Sequence, residues 1–202
     1  MLSKLQALCL AGLTLTATGC ASLNSSVPFQ YQPSLSAGKT VQKSAGFNLL
    51  EDLRPEADRS YTKSIKDVSE KITAKLIEDF QRSKVFQDIH YPITANDDLI
   101  IDGKVSRFMW KFYAEPILYI PYVNIITLFG IPTYKAYGVT EIELELKDRS
   151  TGQMIGNVSA NSRVENSYNI YNFKAGEAGA ELAESFRDVA KKLKEGVIQK
   201  LK

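Results

Sequence analysis

Residues 140–146 have the order Thr-Glu-Ile-Glu-Leu-Glu-Leu, and from Glu141 onward polar and apolar side chains alternate strictly. Successive side chains of a β-strand point to opposite faces, so this alternation predicts a strand with three aliphatic side chains inward and three glutamates in water. Turn-forming residues at 148–153 predict a hairpin, with the return strand over 154–165. Such a pair has one apolar face, which requires a second layer to cover it.

Two amphipathic helices are predicted to form that layer. Over residues 65–82 apolar side chains recur every three or four positions, and Ser64 and Asp67 stand in capping-box relation at the start. The same stripe recurs over residues 182–197. Lysines close to the end of this second helix are expected to stay in solvent and to favour its C-terminal dipole; they are Lys191, Lys192, Lys194, Lys200 and Lys202.

Residues 99–112 predict one long strand whose apolar positions change parity. They are odd-numbered up to Val105 and even-numbered from Phe108 onward. A change of parity requires one extra residue, so a β-bulge is predicted near residues 106–107. A further strand is expected over residues 45–52.

Together these elements predict an α/β (α+β) domain over residues 45–202. Its expected architecture is an antiparallel-dominated sheet with two amphipathic helices packed on one face. The chain has 202 residues, of which 44% are hydrophobic, enough for a core without disulfides or a metal. Its net charge of +2 excludes nucleic-acid binding driven by bulk positive charge.

The first twenty residues predict export and lipid attachment. Lys4 and the amino terminus form a short positive region, residues 5–15 an apolar region, and residues 16–20 a cleavage zone similar to a bacterial lipobox. In a lipobox the cysteine after the cleavage site is joined to diacylglycerol, so Cys20 is the predicted lipidation site. An ordinary signal peptide with a chance cysteine is the alternative.

Lipid attachment divides the chain and predicts its location. Residues 1–19 form the expected signal peptide, and residues 20–44 form the acylated cysteine and its tether. Because Ala21 and Ser22 follow the cysteine in place of an aspartate, the predicted location is the periplasmic face of the outer membrane. Two or three acyl chains, palmitate among them, make such an anchor effectively permanent.

The order of the elements resembles a family of envelope proteins. A lipobox, a strand ending in Asp-Leu-Arg-Pro at 52–55, a helix, a long strand, a hairpin around the Asp-Arg-Ser-Thr-Gly turn at 148–152 and a final helix look like small outer-membrane lipoproteins of the YajG-like kind. Their domain is similar to the amino-terminal domain of TolB, and to lipoproteins that activate peptidoglycan synthases or build the curli secretion pore.

The resemblance implies a non-enzymatic, protein-binding adaptor in cell-envelope assembly or transport. The membrane would be contacted through the lipid anchor, and the partner would be an envelope protein of unknown identity or a second copy of the chain. A lipid or glycolipid carrier and a subunit of an oligomeric secretion pore are the alternatives.

No constellation of residues predicts catalysis. His90, the single histidine, lies two residues after Asp88. The two side chains could form an acid–base pair, but the role expected of a lone imidazole is that of a surface or capping residue. The glutamates of residues 140–146 have no Asp/Gly-rich calcium loop beside them, so a solvated sheet surface is expected. The prediction is therefore no catalytic residue, no metal site and no cofactor.

Two segments are candidates for binding. Residues 116–132 are apolar but interrupted by Pro121 and Asn124, so they are expected either to pack on the domain or to contact a membrane or partner. Residues 167–177 are rich in Tyr and Asn and form either a recognition loop or a seal for the core edge. The candidate interface residues are Tyr119, Tyr122, Ile126, Leu128, Phe129, Tyr168 and Tyr171.

Overall fold

The computed structural model describes residues 29–33, 40–63, 65–120, 123–174 and 177–202. Cys20, the predicted signal peptide and most of the predicted tether lie outside this range. The strands are β1 (Val41–Phe47), β2 (Glu51–Asp52), β3 (Phe86–His90), β4 (Leu99–Ala114), β5 (Tyr134–Asp148) and β6 (Met154–Tyr168). The α-helices are α1 (Glu56–Ser60), α2 (Val68–Arg82) and α3 (Ala180–Lys200), and two 3₁₀ helices span Pro116–Tyr119 and Val123–Phe129.

The six strands form one mixed sheet in the order β3-β1-β4-β5-β6, with β2 also paired to β4. β1 runs parallel to both of its neighbours, and β2 runs parallel to β4. Only the β4-β5-β6 meander is antiparallel. The predicted antiparallel dominance is therefore wrong, because the segment that contains α2 returns the chain in a crossover, and a crossover makes β3 parallel to β1.

The predicted β-bulge in the long strand is confirmed. Val105 lies opposite Ile142 and Arg107 lies opposite Glu141, so Ser106 is an extra residue on β4. The bulge keeps the aliphatic residues before it and the aromatic residues after it on one buried face.

The parity of the alternating strand is also confirmed. Ile142, Leu144 and Leu146 are fully buried, whereas the three glutamates that alternate with them are partly exposed. β5 begins earlier and β6 ends later than predicted. Their aromatic residues continue the hydrogen-bonded ladder as far as the Tyr134–Tyr168 pair.

The segment before α2 differs from the prediction. The helix begins at Val68, and Asp67 takes the N-cap position without a side-chain hydrogen bond, so the predicted capping box does not form there; Ser64 lies outside the described residues. The predicted strand over 45–52 is divided into β1 and β2 because Leu50 turns toward α2, where its N–H donates to Thr73 Oγ1 at 3.1 Å.

One hydrophobic core joins the sheet to the two long helices. Its largest fully buried side chains include Phe47 of β1, Phe80 of α2, Trp110 of β4 and Phe186 of α3. The described core and the residues packed against it lie between residues 29 and 201. The described core therefore lies wholly after Cys20, the predicted lipidation site.

A buried ion pair joins α2 to α3. Lys194 Nζ lies 2.6 Å from Asp79 Oδ2 and donates to Ser83 Oγ at 2.8 Å, and Tyr31 donates to Asp79 Oδ1 at 2.8 Å. The expectation that Lys194 stays in solvent is wrong, because it lies on the face of α3 that meets α2 and is 3% exposed.

Candidate docking surface

The connection between β4 and β5 is a loop whose two ends are hydrogen-bonded to each other and to β6. Its first and last residues extend the ladder: the Glu115 N–H donates to Thr133 O at 2.8 Å, and the Thr133 N–H donates to Tyr168 O at 3.0 Å. Pro116 opens the first 3₁₀ helix, where its fixed φ suits the first turn and its missing N–H is not needed.

The two segments that were predicted as candidates meet in space. The Asn169 side chain donates to Gly130 O at 2.8 Å, and the Tyr171 hydroxyl donates to Leu128 O at 2.9 Å. Gly130 has φ +73°, a left-handed conformation that glycine adopts without strain. The loop after β6 therefore supports the second 3₁₀ helix from the side.

We call the exposed apolar residues of these two segments the apolar tip. Thirteen large hydrophobic side chains are exposed among the described residues, and nine of them belong to it. The most exposed are Phe129 at 78% and Tyr119 at 77%. The full set is Ile117, Tyr119, Ile120, Ile125, Leu128, Phe129, Ile131, Ile170 and Tyr171.

Such a concentration is what distinguishes the tip from ordinary surface. Single exposed apolar side chains are common, but a contiguous group of them marks a site of interaction with a partner or a membrane. No residue from Pro116 to Tyr134 carries a charged side chain. Within the ranges that the structure describes, no helix is long and apolar enough to cross a membrane.

The sequence-predicted interface residues fall into two groups. Tyr119, Leu128, Phe129 and Tyr171 are exposed in the apolar tip. Tyr168 instead packs partly buried against the core. Tyr122 and the side chain of Ile126 lie outside what the structure describes.

An aromatic cluster forms the base of the tip. The Phe112 ring lies 4.6 Å from Phe173 and 5.6 Å from Tyr134, and the Tyr168 ring lies 5.4 Å from Phe173. Phe173 of the loop after β6 thus seals the core edge, whereas Tyr171 of the same loop is exposed, and its part in recognition stays a prediction.

A buried carboxyl group lies below this cluster. Glu181 is 1% exposed; its Oε2 accepts from Trp110 Nε1 at 2.8 Å, and its Oε1 accepts from the Asn166 amide at 3.1 Å and from the Tyr168 hydroxyl. Burial, together with this hydrogen bond to Glu181, raises the pKa of Tyr168 to about 12. The Glu181 carboxyl group therefore connects α3 to β4 and β6 directly below the tip.

Sequence reasoning missed Glu181. The only sequence signal was an acidic residue beside Leu182 at the start of an apolar helical stripe. The close approach that buries it depends on Gly138, where an added Cβ would lie 2.3 Å from the backbone nitrogen of Leu182. Glycine lets the first turn of α3 sit directly on β5.

His90 pairs with Asp97 and not with Asp88. His90 Nδ1 lies 2.5 Å from Asp97 Oδ1, and the Thr94 N–H donates to the same carboxyl group at 2.6 Å. Burial raises the pKa of Asp97, but the hydrogen bonds from His90 and Thr94 outweigh it and lower the pKa overall. This pair holds the loop between β3 and β4 in place.

The Asp-Leu-Arg-Pro motif at 52–55 is also structural. Arg54 is 6% exposed and makes two 2.9 Å hydrogen bonds to Asp52, one to each carboxylate oxygen. The hydrogen bond from Arg54 lowers the pKa of Asp52, against the opposing effect of burial. Arg54 also donates to Thr62 at 2.7 Å and to Phe108 O at 3.3 Å, so it clamps this segment to β4.

Two of the three glutamates in the row on β5 are paired within the domain. Glu143 lies 2.9 Å from Lys104 Nζ, and Glu145 lies 3.5 Å from Lys147 Nζ. Among the described residues, no group of three or more His, Cys, Asp or Glu side chains could hold a metal ion.

Solved structures share the fold at low sequence identity. Protein XCC0632 from Xanthomonas campestris, of family model DUF330, has a TM-score of 0.51 and 10% identity, over 87% of this chain and 94% of that one. A neuraminyllactose-binding hemagglutinin homolog from Helicobacter pylori has a TM-score of 0.50 and 9% identity, over 85% and 91%. Likeness at these identities shows a common fold and nothing more.

A minor lipoprotein from Acinetobacter baumannii is more distant, with a TM-score of 0.41 and 11% identity over 78% of this chain and 93% of that one; this likeness carries no argument. No family model matches the sequence, and neither does any curated protein. The resemblance to YajG-like lipoproteins and to the TolB domain therefore stays a prediction.

Proposed function

We propose that this chain is an outer-membrane lipoprotein whose periplasmic domain is a non-enzymatic adaptor in cell-envelope assembly or transport. The apolar tip is its docking surface, and the tip is also the observation that carries the proposal. It is uncharged, exposed and hydrogen-bonded into a fixed shape at one end of the sheet. A surface of this kind is suited to binding.

The anchoring part of the proposal is supported by the sequence alone. Residues 1–20 combine a positive start, an apolar region and a cleavage zone that ends in Gly19 and Cys20. The described polar clusters support the non-enzymatic part, because Glu181, Asp97 and Asp52 each accept hydrogen bonds from donors within the domain.

A lipid or glycolipid carrier is less well supported. In a carrier the apolar side chains would line a cavity. Here they are exposed, and the cleft at the start of α3 is lined by Gln30, Glu177, Glu184 and Arg187 together with small residues. A pore subunit requires self-association, which light scattering of the mature domain would measure.

The anchor is tested by Cys20→Ser. Because acylation requires the thiol, the variant should leave the membrane fraction and lose incorporation of labelled palmitate. A variant that stays in the outer membrane, together with a wild type that takes up no label, would show that the lipoprotein part is wrong.

The docking surface is tested by a photo-crosslinking amino acid placed in living cells. Leu128 in the tip and Met154 at the opposite end of β6 have similar exposures, 63% and 58%, and form a matched pair. Crosslinks to an envelope component are expected from Leu128 and not from Met154. Equal yields from the two positions would refute the docking surface.

A further inference from the structure

We propose that the apolar tip enters the headgroup region of the same membrane that holds the lipid anchor. The domain is then held at two points, one covalent and one reversible. This inference rests on the proposed function, since the anchor decides which membrane is near, and it identifies the occupant of the docking surface as a phospholipid surface. A protein partner would meet the rest of the domain.

The side chains of the tip suit the boundary between lipid and water. Tyr119, Phe129 and Tyr171 are its most exposed residues. Tyr and Trp concentrate at the level of the headgroups in membrane proteins, and Phe is common on the apolar face of interfacial segments. The aliphatic residues between them carry the apolar area that drives interfacial binding.

Backbone polar groups in the tip have the hydrogen-bond partners that an apolar environment requires. A polar group that enters lipid without a hydrogen-bond partner is costly. Tyr171 and Asn169 supply side-chain donors to the carbonyls of Leu128 and Gly130, and the 3₁₀ turns supply others, such as Gly130 N–H to Thr127 O at 3.1 Å.

Charges at the base of the tip are balanced. Lys135 Nζ lies 2.7 Å from Glu115 and 3.8 Å from Glu165, and Lys174 pairs with Glu177 at 3.2 Å. With these cations paired, attraction to anionic lipid is weak, so binding should depend on apolar contact and change little with salt.

The length of the tether allows both contacts at once. Phe29, the first described residue, has its ring 5.0 Å from Phe108, and Phe108 is six residues before the end of β4 at Ala114. That stretch of strand is about 20 Å long. The nine residues from Cys20 to Phe29 can span up to about 30 Å when extended. The anchor and the tip can therefore reach the same bilayer.

The first test uses the mature chain without acylation, beginning at Ala21, which contains the whole described core. It should float with vesicles of phosphatidylethanolamine and phosphatidylglycerol, and with vesicles of phosphatidylcholine alone, at low and high salt. Phe129→Asp should reduce the bound fraction by at least about tenfold. Met154→Asp is the matched control and should bind like the wild type, with both variants keeping the wild-type melting temperature.

The second test uses the acylated protein in vesicles that contain brominated lipid, which quenches tryptophan fluorescence at short range. Leu128→Trp should be quenched and Met154→Trp should not, relative to the wild type with its buried Trp110. Quenching at Leu128→Trp supports the inference even when the unanchored chain binds too weakly to float. Equal signals at both positions, without flotation, overturn it.

The outcomes also separate this inference from the proposed function. If Leu128 crosslinks to a protein in cells while Leu128→Trp is not quenched by lipid, the docking surface stands and its assignment to the membrane is wrong. If Leu128 crosslinks to no protein but Leu128→Trp is quenched by lipid, the membrane inference stands and a protein docked on the tip is ruled out. If neither signal appears, both are wrong.

Discussion

Glu181→Gln tests the hydrogen-bonded group that supports the tip. The carboxyl group of Glu181 offers two acceptor oxygens to three donors, from Trp110, Asn166 and Tyr168. Glutamine keeps the shape but has one acceptor oxygen, so one donor would face an amide N–H. A buried unsatisfied donor costs about 1–3 kcal/mol, and the remaining bonds weaken by about 1 kcal/mol each without charge assistance.

Glutamine is neutral, so the variant avoids the cost of burying a charged group, and this gain offsets part of the loss. The net expectation is a decrease of about 2 kcal/mol in the free energy of unfolding, which corresponds to a melting temperature lower by roughly 4–8 °C for a domain of this size. Calorimetry and denaturant titration would measure it. Glu184→Gln, an exposed position on the same helix, is the control and should change stability by less than about 0.5 kcal/mol. If Glu181→Gln matches the control, the three donors do not hold the carboxyl group as described.

Three further predictions concern the core, the ion pair and alkaline pH. Leu144→Ala should cost roughly 2–5 kcal/mol by chemical denaturation and Glu143→Ala at most about 1 kcal/mol, and equal costs would contradict the assigned faces of β5. Lys194→Met leaves the buried Asp79 without its ammonium partner and should cost about 3–5 kcal/mol, much of it recovered by adding Asp79→Asn; an additive double variant would argue against the pair. Because the folded pKa of Tyr168, about 12, lies above its ordinary value of 10.0, the stability it contributes is full below pH 10 and is lost as pH rises toward 12. After allowance for solvent screening, the wild type should lose about 1–2 kcal/mol more than Tyr168→Phe over that range, and parallel curves would refute the assignment.

The candidate site was predicted in part. The composition of residues 116–132 identified an apolar segment but left open whether it packs on the domain or faces outward. Only the fold places Leu128 and Phe129 in solvent, because the ends of β4, β5 and β6 are already sealed by Phe112, Phe173 and their neighbours. Tyr168 and Tyr171 are three residues apart in a similar sequence context, and the first bonds to Glu181 while the second bonds to Leu128 O.

The sequence by itself determined the local elements of this protein. The alternation in β5, the parity change that places a bulge at Ser106, and the apolar stripes of α2 and α3 are all properties of neighbouring residues, and neighbouring residues decide the period of a strand or helix. Tertiary structure alone decided the mixed order of the sheet, the burial of Lys194 against Asp79, and the meeting of two loops in one apolar tip. Each of these depends on contacts between segments far apart in the chain. Bringing such segments together costs chain entropy, and the burial that compensates for this cost is complete only when the whole domain folds.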